Sequence, residues 1–178
     1  MTVMYSAVTR FDPNRGDDWK EYIEWSGLSH LREVLSLDSL LCPTIVETLT
    51  DEDWQYNVQE DHKTHLFHNL DYLLRRIAGN KQVNVLAVMH EPFATDLSSF
   101  VDPRFVFRGF DLIEMDGSIS AISNCGGFDK AFSTADLSEY GLLTEHTKTK
   151  SVQELLVSEY PEERHAECDM WAIWQKVS

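Results

Sequence analysis

Basic residues are scarce in this chain: 15 Lys and Arg stand against 30 Asp and Glu, a formal net charge of −15 over 178 residues. Adding one positive charge for each of the seven His would still leave −8. Nucleic-acid affinity rests on Lys and Arg neutralising phosphates, so a phosphate-backbone binder is not expected. Binding to an anionic membrane surface is disfavoured for the same reason, though less strongly. Cysteine is also sparse. Cys42, Cys125 and Cys168 are odd in number, widely spaced and form no CxxC pair, which excludes a zinc-knuckle or thioredoxin signature. Reduced thiols in a cytoplasm are the natural reading. No apolar run approaches the roughly 18 residues of a membrane span. The first ten residues lack the basic n-region and continuous apolar stretch of a secretory signal. A cytoplasmic location is therefore expected. Walker A, GxGxxG, HExxH, GxSxG and EF-hand patterns are all missing. So are repeats, low-complexity tracts and a Pro/Gly/Ser linker.

What is present suffices for a core. The chain is 43% hydrophobic and 11% aromatic, and both halves are acidic, so nothing marks a boundary and residues 1–178 read as one compact domain. Strands are expected at Val3–Val8, Val83–Met89, Phe105–Met115 (bulged near Gly109) and Cys168–Val177. Asp116-Gly117 is the strongest hairpin signal and returns the chain through Ser118–Ser123. Helices are expected from Asp17 to Gly27, after a Ser29 cap with Leu31, Val34 and Leu35 on one side, and after Thr50, with Asp53 in its first turn. A further helix is read from Leu66, Leu70, Leu73, Leu74 and Ile77, stopped by Gly79-Asn80. Ser133 with Asp136 repeats the capping pattern, and Ser151–Tyr160 is amphipathic and closed by Pro161. Helices flanking a mostly antiparallel sheet make the class α+β.

The densest cluster of metal-capable side chains is Asp61-His62-Lys63-Thr64-His65-Leu66-Phe67-His68. On a helix, His62, His65 and His68 fan over about 120° and cannot converge on one ion. Asp61, His65, His68 and Tyr72 would lie within about 60° of one another. Two His and a carboxylate suit an open divalent-metal site, or Asp61 orienting His65 as a general base. A solvated polar face of an amphipathic helix accounts for the same spacing, so no cofactor is the expectation and a divalent metal the alternative. Cys125, before Gly126-Gly127, has the form of a nucleophile beside an oxyanion-binding turn, but a small buried thiol at a strand end is the simpler reading. His90-Glu91-Pro92 follows a strand, where His90 and Glu91 suit an acid/base pair or simply a strand terminator. Trp171 and Trp174, three apart on a strand, should face opposite sides.

The acidic residues themselves form two concentrations. Thr44–Asp61 holds Glu47, Asp51, Glu52, Asp53, Glu60 and Asp61 with no Lys or Arg. Glu159, Glu162, Glu163, Glu167 and Asp169 surround the single Arg164. Such surfaces steer basic protein partners, and they also confer solubility. Cys42-Pro43-Thr44-Ile45-Val46-Glu47 and Asp53-Trp54-Gln55 through Asn57-Val58-Gln59 resemble small uncharacterised bacterial proteins. The Asp111–Gly127 and Cys168–Trp174 stretches share that likeness, which implies no reaction or ligand. The expectation is a non-enzymatic binding protein of accessory or immunity type with Glu47, Asp51, Glu52, Asp53, Glu162 and Glu163 facing a basic protein. The alternative is a small enzyme using Asp61, His65 and His68, or Cys125. Oligomeric state is not legible in the sequence.

Overall fold

Short runs of alternating and β-branched residues build one sheet. The computed structural model describes residues 2–10, 30–38, 49–61, 64–115, 119–122, 131–163 and 166–177. Among these, β1 (Met4–Thr9), β2 (Val58–Asp61), β3 (Thr64–Phe67), β4 (Val83–His90), β5 (Phe105–Glu114) and β6 (Cys168–Lys176) lie in the order β2-β3-β1-β4-β6-β5. Every neighbouring pair is antiparallel, and the sheet is open. With helices α1 (Asp51–Tyr56), α2 (Leu70–Arg76) and α3 (His146–Glu159), this is the α+β fold read from the sequence.

Both faces of the sheet are covered. Along β4, Val85, Ala87 and Met89 join a core with Leu70 and Leu73 of α2 and Val152 and Leu156 of α3. The alternate residues Leu86 and Val88 pack with Trp171 and Ile173, under Val34, Leu35, Leu37 and Leu142. A strand buried on two faces reads as a nearly continuous apolar run, which is why β4 was so plain in the sequence. Trp171 and Trp174 enter opposite clusters, as their spacing requires.

The β5–β6 register shifts between Phe107 and Gly109, the bulge expected there. The predicted Asp116-Gly117 turn lies outside the described residues, but its flanks pair as a hairpin demands. Glu114 N–H donates to the Ile119 carbonyl (2.9 Å) and Ala121 N–H to that of Leu112 (2.8 Å). Thr50 caps α1 through a reciprocal capping box with Asp53. The helix expected over Asp17–Gly27 and the stretch around Cys42-Pro43 also fall outside the described residues.

Three expectations need correction. The segment read as a helix from Leu66 splits: Leu66 belongs to β3, and α2 begins only at Leu70, capped by Asn69, whose Oδ1 accepts from Tyr72 N–H (3.0 Å). The spacing of Leu66 and Leu70 is coincidental, because the two side chains enter opposite cores. Residues 31–38 form no helix. They cross the sheet as extended chain, with Arg32 and Leu35 N–H donating to the carbonyls of Glu139 and Tyr140, so residues 34–38 are buried without interruption. Ser133 and Asp136 do form a capping box, but it closes only a short 3-10 turn at Thr134–Asp136.

Candidate functional site

The hairpin formed by β2 and β3 removes the shared helix face on which Asp61, His65 and His68 were to meet. Asp61 pairs in register with Thr64, and it is Glu60 that stands opposite His65. His65 lies edge-on to Trp54 at 5.6 Å, and His68 is exposed beyond the strand end. Among the described residues no group of three or more His, Cys, Asp or Glu is placed to hold a metal ion. Cys125, with Gly126-Gly127, lies outside the described residues.

His90 and Glu91 are well placed but do not form a pair with each other. His90 closes β4 on the face of Leu86 and Val88. Its ring stacks on that of Trp171 (centroids 4.5 Å apart, planes 22° apart), and Nε2 lies 2.8 Å from Asp169 Oδ2. A carboxylate accepts only, so Nε2 carries the proton and the ring orientation is set. Glu91 turns the other way. Its φ of +42° is the left-handed region that a non-glycine residue enters at a cost. Its carboxylate accepts from Lys150 Nζ, from Gln153 Nε2 (2.9 Å) and from Met170 N–H (2.7 Å). Burial alone would raise the Glu91 pKa, but the bonds from Lys150, Met170 and Gln153 outweigh it and hold the group below the usual carboxylate range. Gln153 Nε2 also donates to the Cys168 carbonyl (2.6 Å), and His146 Nε2 contacts the Pro92 carbonyl (2.8 Å). Glu91 is thus a clamp joining α3 to the ends of β4 and β6.

Glu91→Ala is expected to cost about 2 kcal/mol, because it strands the Met170 N–H and frees Lys150 and Gln153. Glu91→Gly should cost less than the alanine change by roughly 1 kcal/mol, since glycine accepts the positive φ. Urea denaturation of the two variants side by side measures the difference.

Beneath the sheet a second polar group escaped the sequence reading. Asp111, fully buried on β5, accepts from Ser36 Oγ (2.5 Å) and Leu37 N–H (3.3 Å) through Oδ2. Its Oδ1 accepts from Ser120 Oγ (2.6 Å) and Leu112 N–H (2.9 Å). Asp38, also buried, accepts from Ser120 N–H (3.0 Å). Burial pushes the Asp111 pKa up to about 6, and the nearby Asp38 charge adds to the rise against the opposing bonds from Ser120, Ser36 and Leu37. The available signal was an aspartate inside the apolar run Phe110-Asp111-Leu112-Ile113. A charged residue at that place must face either solvent or a built polar partner. This network joins three stretches of chain, and Ser36, Asp38, Asp111 and Ser120 are all buried.

The acidic candidates divide by use. Asp53 caps α1, accepts from the Tyr72 hydroxyl and lies 3.9 Å from Arg76. Bonds from the Thr50 backbone and Tyr72 hold its pKa below the usual range, so its carboxylate is engaged within the fold. Asp51 and Glu52 are exposed beside the β2 edge. Glu47 lies outside the described residues. Glu154, Glu162, Glu163 and Glu167 are exposed on α3 and on the turn into β6, and their carboxylates form no hydrogen bond or ion pair among the described residues. Met115 is joined to that turn through its N–H bond to the Glu167 carbonyl (3.2 Å). Four strand spacings separate β2 from β6, roughly 19 Å in all. That exceeds two screening lengths at physiological salt, so the two acidic groups do not act as one surface. No helix among the described residues is long and apolar enough to cross a membrane. No family model, curated protein or solved structure matches this chain.

Proposed function

We propose that the chain is a non-enzymatic binding protein of accessory or immunity type, which engages a basic protein through the acidic shoulder formed by α3 and the entry to β6. The observation that carries this reading is the set of four carboxylates, Glu154, Glu162, Glu163 and Glu167, which no internal cap or ion pair uses among the described residues. Several other acids are committed to the fold: Asp53, Asp102, Asp136 and Glu91 each hold a cap, a turn or an ion pair, whereas Asp51 and Glu52 are exposed as a separate pair beside the β2 edge. Exposed Leu155, Val157 and Met115 lie on or beside the same shoulder. Apolar residues within a charged rim are the usual anatomy of a protein interface. Unneutralised carboxylates at its rim would accelerate encounter with a basic surface and reject acidic ones.

The test compares two variants that shift net charge equally, Glu162→Lys/Glu163→Lys and Asp51→Lys/Glu52→Lys, each verified as folded by circular dichroism. Binding to a panel of folded basic nucleases is measured by calorimetry. The first variant should lose about tenfold in affinity and the second little, as two rim charges are worth roughly 1.4 kcal/mol together. Equal losses would reduce the acidity to general charge, and no binding by any panel member would remove the basic-partner reading.

A further inference from the structure

Residues 31–38 form a strap across one face of the sheet. They lie in no helix or strand, and they cover the side of β4 and β6 that carries Leu86, Val88, Trp171 and Ile173. The two ends of the strap are held differently. At the first, Glu33 accepts from Asn84 Nδ2 (2.7 Å) and Gln175 Nε2 (3.3 Å), and Arg10 lies 3.5 Å away. An acid there is matched by a cation. At the second, Ser36 Oγ and Leu37 N–H reach Asp111 of β5, and Asp38 N–H turns back to Ser36 Oγ (3.0 Å). Here the strap brings an acid to an acid. Ser120 donates to both, by its N–H to Asp38 and by its Oγ to Asp111, so two buried carboxyl groups stand within the span of one residue.

What surrounds Asp111 sets the effect of its ionisation. Among the described residues, β6 places Trp171 opposite it and, farther along the same face, Asp169, which is bonded to His90 of β4. The stretch 119–122 brings Ser120, and the stretch 138–143 brings Tyr140, with the Arg108 guanidinium over its ring. The strap brings Asp38. Burial is the larger penalty on the charged form of Asp111, and the Asp38 charge adds to it. Lifting the strap relieves both at once, because it admits water to Asp111 and carries Asp38 away. Against this, Val34, Leu35 and Leu37 are almost wholly buried, so the closed strap is the resting state.

We propose that residues 34–38 are a pH-sensitive latch. A proton on Asp111 keeps the strap closed, and its loss raises the fraction of molecules in which the strap lifts and uncovers the apolar side of β4 and β6. The sheet itself need not open, since the ladder bonds of β4 run to β1 and β6 and not to the strap. The device is separate from the acidic shoulder and does not rest on that reading.

Amide hydrogen exchange of the full native chain, corrected for the intrinsic effect of pH on exchange, reads the latch at pH 5 and pH 7.5. The Leu35 and Leu37 N–H groups bond to the Tyr140 carbonyl and to Asp111. They should exchange by a local opening that low urea hardly alters, well ahead of Leu86 and Val88 in β4. A carboxyl that titrates at about 6 with the strap closed and at its ordinary 3.8 with the strap lifted makes that opening about tenfold more frequent at the higher pH. Asp111→Asn should abolish the difference. Asp38→Asn should reduce it, and this variant serves if the first misfolds. Strap amides that exchange no faster than those of Leu86 and Val88, or a native opening equally frequent at both pH values, would overturn the proposal. So would a difference that survives in full in either variant, which would assign the effect to His90 and Asp169 instead.

Discussion

Asp111→Ala is expected to lower the unfolding free energy by about 4 kcal/mol, a large share of the roughly 5–15 kcal/mol available to a domain. The substitution strands four donors in the interior: Ser36 Oγ, Leu37 N–H, Leu112 N–H and Ser120 Oγ. Each unsatisfied buried group costs about 1–3 kcal/mol, offset in part by relief of the buried charge. The same carboxyl gives the protein an unusual pH response. It titrates near 6 in the fold against an ordinary value of 3.8. A raised carboxyl pKa means that ionisation opposes folding. The stabilisation from its protonated form is full below the ordinary value and fades as pH rises through about 6. Holding Asp111 ionised at neutral pH therefore costs about 3 kcal/mol. The urea midpoint should rise between pH 7 and pH 5 in the native protein and stay nearly flat over that window in Asp111→Asn. A midpoint that falls on acidification in both would place the Asp111 titration elsewhere.

Gly109→Ala should be comparably damaging for a different reason. Gly109 sits at φ +140°, and an added Cβ would lie 2.5 Å from the Leu143 carbonyl oxygen and 2.9 Å from Leu142 Cβ. The obstacle is chiefly backbone, and it is the strand-like contact of Leu143 with Phe110 that fixes the distance. Yielding means opening that bridge and the buried Leu142 and Leu143 beneath it. The expected cost is about 3–4 kcal/mol, a fall of roughly 10 °C in Tm for a chain of this size. Amide exchange should show lost protection at Phe110 and Leu143. A thermal midpoint within 2–3 °C of the native protein would contradict the tight approach.

How much of this was legible in the sequence follows from the range of the interactions. The Thr50 cap, the apolar run of β4, the bulge near Gly109 and the opposed tryptophans are local patterns, readable from neighbours along the chain. The helix expected from Leu66 failed because a four-residue strand and a following helix happened to place leucines at helical spacing, and the Asn69 cap was the overlooked stop. The extended course of residues 31–38 depends on carbonyls of Glu139 and Tyr140, more than a hundred positions away, which no local pattern contains. His90 and Glu91 were singled out as an acid/base pair or a strand terminator from their place at a strand end. Their actual partners, Asp169 and Lys150, are set by β-sheet register and by the docking of α3. The acidic count was visible at once. Its division into structural groups such as Asp53 and exposed groups such as Glu162 and Glu163 required the fold.

The association rate with a basic nuclease that binds the native chain, followed across a salt series, tests the central claim most directly. The native rate should fall steeply as ionic strength rises, and Glu162→Lys/Glu163→Lys should flatten that dependence while Asp51→Lys/Glu52→Lys leaves it nearly intact. Identical salt dependence in all three proteins would contradict an acidic shoulder as the binding surface.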